Sequence, residues 1–220
     1  GSFDDCQALV KKAFLDQECQ LHLRLSSANS INIARLIPQS FYYFEAFKQL
    51  EKSRKKTAFC VPSGNFGNIT AGLLAQKMGL PISHFIAATN ANDVVPEYLA
   101  SGTYTPRPSV PTISNAMDVG NPSNFIRIQE LFNNDLEALK SAFSSYSFSD
   151  DETRATMKEI YANSGYVADP HGAVGYLGSK AYLENNPNAH CVFLETAHPT
   201  KFLDVVEDVI KEKQPLPEQI

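Results

Sequence analysis

Several absences narrow what this 220-residue sequence can be. No run approaches the roughly 18–20 consecutive apolar residues that cross a bilayer. The opening Gly1-Ser2-Phe3-Asp4-Asp5 is no secretory signal. A soluble, cytoplasmic chain without a membrane partner is expected. Cys6, Cys19, Cys60 and Cys191 are widely separated and form no C-x-x-C pair, so neither a zinc site nor a disulfide framework is indicated, and no metal is expected. Positive charge is also scarce: the formal net charge is -5, and the one dense basic run, Lys52-Ser53-Arg54-Lys55-Lys56, reads as a solvated helix end. Nucleic acid is therefore not an expected partner. There is no initiating methionine, and a helical pattern begins almost at once, which points to a piece of a longer polypeptide.

What is present is ordinary globular material, with 43% hydrophobic and 20% charged residues. The length suits one main domain with a substantial core. Cys6, Leu9, Val10, Ala13 and Phe14 recur at helical spacing, predicting a helix to about Asp16. A second helix is expected from about Ser30 to Lys52, with Ile33, Leu36, Ile37, Phe41, Phe44 and Leu50 as its apolar face and a kink or break at Pro38. The apolar run Thr57–Val61 reads as a buried strand, residues 69–78 as a helix stopped by Gly79 and Pro81, and Ile82–Ala88 as a second strand. Strand, glycine turn, helix and strand make a right-handed βαβ unit whose ligand edge lies at the strand carboxyl ends. The fold class is thus α/β, a three-layer arrangement of parallel sheet with helices on both faces.

Further along, prolines 106, 108, 111 and 122 mark a long ordered loop. Ser149-Asp150-Asp151-Glu152 is a capping box opening a helix to about Asn163. Another helix is expected from Pro170 to Leu183, a buried strand over Cys191–Leu194, and a final helix with Pro199 in its first turn. No internal repeat is visible.

The stretch that carries chemistry is Pro62-Ser63-Gly64-Asn65-Phe66-Gly67-Asn68, between a strand end and a helix start. Glycines let backbone N–H groups approach an anion, and a helix amino terminus adds about half a positive charge where they converge. Phosphate is the natural ligand, although such a turn can also be merely a tight connection. The stretch lacks the G-K-[ST] ending of a Walker A loop and the G-x-G-x-x-G spacing of a dinucleotide site. Asn68-Ile69-Thr70 matches a glycosylation acceptor, but its place inside this turn argues against that use.

Ser63-Gly64-Asn65-Phe66-Gly67-Asn68 resembles the phosphate loop of the threonine synthase family, whose cofactor is pyridoxal 5'-phosphate. Three further segments agree in kind and order: Ser27-Ala28-Asn29-Ser30-Ile31-Asn32-Ile33-Ala34-Arg35, Ser114-Asn115-Ala116-Met117-Asp118 and Thr196-Ala197-His198-Pro199. The resemblance spans nearly the whole chain and is to the carboxyl-terminal half of the family. It implies the tryptophan synthase β-like, fold-type II architecture. Residues 1–52 would be a helical segment joining a small and a large domain, and 53–220 the large phosphate-binding domain without its amino-terminal part.

By the same resemblance, Ser63, Gly64, Asn65, Phe66, Gly67 and Asn68 grip the cofactor phosphate, mostly through backbone N–H groups, with the Asn65 and Asn68 side chains as extra donors. Thr196 sets its hydroxyl near the pyridine nitrogen; the alternative for Thr196 is a helix cap before Pro199. Asn29, Ser30, Asn32 and Arg35 are candidates for substrate contacts, since amides and arginine suit a phosphate dianion; alternatively Asn29 and Ser30 cap a helix whose polar face carries Arg35. His171 and His198 read as hydrogen-bonded structural residues.

The family's imine-forming lysine lies in an earlier F-K-D-like motif, which is not found here. Lys48, Lys52, Lys55, Lys56, Lys77 and Lys201 all sit in solvated settings, where an amine is not neutral near pH 7. No catalytic residue is identified, and the isolated chain is expected to be inactive. The resemblance implies conversion of O-phospho-L-homoserine and water to L-threonine and phosphate by the whole protein, as monomer or homodimer with its amino-terminal half. Two alternatives stay open: a related phospho-lyase acting on another phosphorylated hydroxy-amino acid, and a non-catalytic anion-binding module.

Overall fold

The computed structural model describes residues 3–30, 32–50 and 56–218. Most of the basic run, and the end of the second helix expected near Lys52, lie outside the described residues. Four strands, β1 (Thr57–Pro62), β2 (His84–Thr89), β3 (Phe143–Ser147) and β4 (His190–Phe193), form one parallel sheet in the order β3-β2-β1-β4. Helices α1 (Phe3–Leu15), α2 (Gln17–His22) and α3 (Leu36–Gln49) precede β1, and α4 (Gly67–Lys77) connects β1 to β2. Between β2 and β3 lie α5 (Val94–Ser101), α6 (Phe125–Leu131) and α7 (Leu136–Ala142). Then come α8 (Asp150–Ser164), α9 (Pro170–Asn185) and, after β4, α10 (Leu203–Ile210).

Alternation along the central strands sorts their side chains between two layers. Phe59 and Val61 of β1, with Phe85 and Ala87 of β2, cluster with Tyr43 of α3 and with Ile69 and Leu73 of α4. Ala58 and Cys60, with Ile86 and Ala88, cluster with Val174 and Tyr182 of α9. The second face carries the smaller residues because α9 comes very close: a Cβ on Gly178 would lie 2.8 Å from both Ala88 Cβ and Cys60 Sγ. Outside α9 packs α8, and α10 packs on α8. The expected three layers are therefore present.

The chain runs β1-α4-β2 outward to β3, then returns with β4 on the far side of β1. Strand order thus reverses between β1 and β4. In open α/β sheets a ligand crevice lies at the carboxyl ends beside such a reversal.

The structure corrects several sequence expectations. The second helix begins later, with a 3-10 turn at Ile33–Arg35 and α3 from Leu36. Pro38 occupies its first turn, where no N–H is needed, so a kink there is not required. The apolar face named for this helix is split: Leu36 is buried, but Ile37 and Phe41 are 60% and 62% exposed, and Tyr43 rather than Phe41 enters the core. β4 is only half-buried because it is an edge strand among the described residues. Pro199 opens a 3-10 turn ahead of α10. The capping box at Ser149 and Glu152 forms as expected, with the Ser149 N–H donating to Glu152 Oε2 at 2.8 Å.

Gly178→Val should destabilise the fold by about 1–3 kcal/mol, because the added carbons overlap the β1 and β2 side chains and force α9 off the sheet. Urea denaturation measures it; an unchanged midpoint would refute the packing account.

Candidate active site

The turn after β1 sits at the strand-order reversal. The Ser63 N–H donates to the Ala88 carbonyl at 2.8 Å and its hydroxyl to the Val61 carbonyl at 2.8 Å, so Ser63 belongs to the sheet. Beyond it, among the described residues, the backbone N–H groups of residues 64–68 find no acceptor in the protein, and the next one along, Ile69 N–H, turns back to Asn68 Oδ1 at 2.9 Å. Successive unpaired N–H groups at a helix amino terminus are what an anion binds.

Phe66 makes the turn possible by adopting a left-handed backbone, φ 61 and ψ 15. This costs a non-glycine residue about 1–2 kcal/mol. Its ring offsets part of that cost: it is buried and meets Phe125 edge-on at 5.7 Å. The Phe66 carbonyl accepts from both the N–H and the hydroxyl of Thr70. Gly64 is required for a different reason, since a Cβ there would lie 2.7 Å from Met117 Cα. The Ser114–Asp118 segment is thus the floor under the turn. It is held by a buried network in which Asn90 Nδ2 donates to Asp118 Oδ1 at 2.9 Å, and the Thr112 hydroxyl to the same oxygen at 2.7 Å.

The two asparagine side chains of the turn are engaged locally. Asn65 Oδ1 accepts from the Ser123 N–H at 2.7 Å and the Ser123 hydroxyl at 2.9 Å, while its Nδ2 donates to Ser30 Oγ at 3.2 Å. Asn68 Nδ2 donates to the Pro62 carbonyl at 2.9 Å. Tyr43 donates its hydroxyl to the Asn68 carbonyl at 2.8 Å, and burial pushes its pKa well above the ordinary value, keeping it a neutral donor. The anion donors are therefore mainly backbone.

The 29–35 segment reaches the turn through Ser30. Its Oγ accepts from Asn65 and Asn124, and its carbonyl accepts from Arg127 at 2.6 Å. Asn32 Oδ1 accepts from the Ala34 N–H at 3.0 Å, so Asn32, not Asn29 or Ser30, is the cap. Asn29 Oδ1 accepts from the Ser30 hydroxyl at 3.3 Å. Arg35 is exposed and has no ion-pair partner among the described residues. Sequence reasoning missed Asn124, Ser123, Arg127 and Asn90. The Asn121-Pro122-Ser123-Asn124 stretch was visible only as loop chemistry.

Thr196 follows β4. The β1–β4 pairing ends with Cys60 opposite Phe193, and the Leu194 N–H donates to the Cys60 carbonyl at 3.0 Å, so Thr196 lies just past the end of β4 beside β1. Thr196 is exposed and does not cap the following turn; His198 does, accepting from the Thr200 N–H. Buried His171 bonds Asp169 through Nδ1 at 2.7 Å, in keeping with a structural role. Next to Thr196, the Glu195 carboxyl crowds Gly172 and Asp169. Glu195 is exposed as a residue, but its carboxyl tip lies against α9 at Gly172; burial of that tip, then the Asp169 charge, pushes its pKa up to about 8. Asp169 Oδ2 is buried without a hydrogen-bond partner among the described residues.

A carboxyl with a raised pKa binds more protons folded than unfolded, so its contribution is full below the unfolded value near 4.5 and is lost as pH rises through 8. Glu195→Gln should flatten the fall of melting temperature between pH 5 and 9. A pH profile parallel to that of the unsubstituted protein would refute this.

A family model described as pyridoxal-phosphate dependent enzyme matches residues 1–196. Threonine synthase of Buchnera aphidicola subsp. Acyrthosiphon pisum is 50% identical over 224 residues, covering 100% of this chain and 51% of that protein. Among solved structures, threonine synthase from Escherichia coli superposes with a TM-score of 0.93 at 48% identity, over 100% of this chain and 50% of that one. Pyridoxal-phosphate-bound threonine synthase from Brucella melitensis gives 0.86 at 39%, over 100% and 52%. The chain thus spans about half the length of the relatives it matches. The fold-type II architecture implied by the resemblance is the one found. With the anion turn and its floor segment both inside the matched span, the chain belongs to the family of pyridoxal-phosphate dependent enzymes.

Proposed function

We infer that this chain is the carboxyl-terminal part of a cytoplasmic threonine synthase, which converts O-phospho-L-homoserine and water to L-threonine and phosphate. The observation that carries the reading is the run of unpaired N–H groups at 64–68, in a chain half identical throughout to threonine synthases. The residues fit the cofactor: the unpaired N–H groups at 64–68 suit its phosphate, and Gly64 lets the turn lie directly on the Ser114–Asp118 floor, where a Cβ would meet Met117 Cα. Residues 64–68 hold the phosphate, with Ser63 fixing the turn to the sheet. Thr196, just past the end of β4, serves the ring nitrogen as a neutral hydroxyl. Bound there, pyridoxal phosphate supplies an electron sink for elimination at the γ-carbon and addition of water at the β-carbon.

On the substrate side, Arg35 is the charged group suited to the phosphate of O-phospho-L-homoserine, with Asn29, Ser30 and Asn32 shaping the segment that presents it. Residues 1–52 join this domain to a smaller one. The lysine for the cofactor aldehyde is supplied by the amino-terminal half. Among the described residues, Lys48, Lys140, Lys180, Lys211 and Lys213 are held in surface ion pairs, and Lys77 lies over the Phe132 ring at 4.9 Å. None of these bonds to the turn or to Thr196.

The exposed Ile33, Ile37, Phe41, Phe44 and Met78, with half-buried Leu74, line an open groove of about 830 Å³. The amino-terminal half is the occupant we assign to it. The full-length protein should release threonine and inorganic phosphate in equal amounts from O-phospho-L-homoserine, and this 220-residue chain alone should release neither. Turnover only of other phosphorylated hydroxy-amino acids would favour the related phospho-lyase, and turnover by the chain alone would refute the division of labour.

A further inference from the structure

Asn124 stands at the amino-terminal cap of α6, where an asparagine ordinarily bonds the helix's own N–H groups. Here it makes no such bond. Its side chain, in a residue 0% exposed, is turned instead to the phosphate turn. Nδ2 donates to the Asn65 carbonyl at 3.0 Å and to Ser30 Oγ at 2.9 Å, which uses both of its hydrogens. Oδ1 accepts from Arg127 Nη1, and the same Arg127 nitrogen holds the Ser30 carbonyl. Every polar atom of the amide is thus committed, and the amide orientation is fixed by Arg127.

The Asn65 carbonyl is the informative partner. A trans peptide is planar, so holding that oxygen on one side aims the Phe66 N–H to the other. The adjoining residue is Phe66, whose left-handed backbone must be held from outside the turn. Phe125, next to Asn124, packs against its ring. We propose that Asn124, oriented by Arg127, is a positioning residue that sets the anion-binding conformation of the 64–68 turn and ties it through Ser30 to the 29–35 segment. The proposal rests on reading the turn as the cofactor-phosphate site. Its consequence is coupling: a cofactor phosphate on the turn and a substrate phosphate at the 29–35 segment each tighten the one hydroxyl that bridges them.

The isosteric change Asn124→Asp tests this, because it places an oxygen against the Asn65 carbonyl while keeping shape and the bond from Arg127. In the full-length protein stripped of cofactor, binding of pyridoxal phosphate and of pyridoxal is followed by absorbance. The expected result is a Kd for pyridoxal phosphate raised about tenfold or more, with pyridoxal unchanged within twofold. KM for the phosphorylated substrate should rise in parallel. Loss of both ligands by the same factor would mark a merely structural residue, and an unchanged pyridoxal phosphate Kd would end the idea; either overturns it. If the unsubstituted protein itself binds the two ligands alike, the cofactor reading beneath the proposal fails instead, and the proposal with it. Should Asn124→Asp yield no soluble protein, Ser30→Ala removes only the bridging hydroxyl and should show the same preferential loss of the phosphorylated ligand, whereas equal binding overturns the proposal.

Discussion

A backbone can bind a dianion only where several consecutive N–H groups are withheld from helix and sheet, and withholding them is itself unfavourable. Residues 64–68 meet that condition through the left-handed Phe66, which lets α4 begin at Gly67 while the preceding peptides face outward. A buried donor without an acceptor is costly, so such a turn is stable only at the rim of a crevice and only if its carbonyls are well held. The Asn65, Phe66 and Asn68 carbonyls are taken by Asn124, Thr70 and Tyr43. These carbonyls are held while the donor side of the turn is left open, and that asymmetry suits the turn to an anion.

The rest of the fold can be understood as what keeps this turn in place. Ser63 ties it to β2, whose own carboxyl end continues into Asn90 and the network holding Asp118. That network sets the Ser114–Asp118 segment close enough to Gly64 that no side chain fits between. On the opposite face, small residues on β1 and β2 let α9 approach, and the cap of α9, Asp169, lies beside Glu195 at the end of β4. The turn and α9 are therefore anchored to the same two central strands. An error in strand register of one residue would exchange the two side-chain layers and break the bond that ties Ser63 to the Ala88 carbonyl.

Features governed by local chemistry were legible in the sequence. The β1 turn, the stop at Gly79, the capping box at Ser149 and the helix opening at Pro170 follow from residues a few positions apart, and the structure has each of them. β3 escaped notice because Phe143-Ser144-Ser145-Tyr146-Ser147 has no apolar run or clean alternation; it is a strand because it pairs with β2. Asn124 escaped for a similar reason: its partners Asn65 and Ser30 are 59 and 94 positions away. An asparagine beside a helix start looks like a cap, and only tertiary structure shows it facing elsewhere.

The misread apolar face of α3 has a physical explanation that joins fold to site. Periodicity identifies a face that avoids water without saying what covers it. The face of α3 that enters this domain is narrow, with Leu36, Ser40 and Tyr43 buried. Ile37, Phe41 and Phe44 form a second apolar stripe facing away from the sheet. A contiguous exposed apolar patch of that kind marks an interaction surface. It is contiguous with Ile33, within two residues of Arg35 and three of Ser30. Whatever covers the stripe therefore also restricts the short segment proposed to meet substrate. On the proposed reading, a second half that covers the stripe also orders the 29–35 segment, so that completing the hydrophobic face and forming the substrate side of the site are one event.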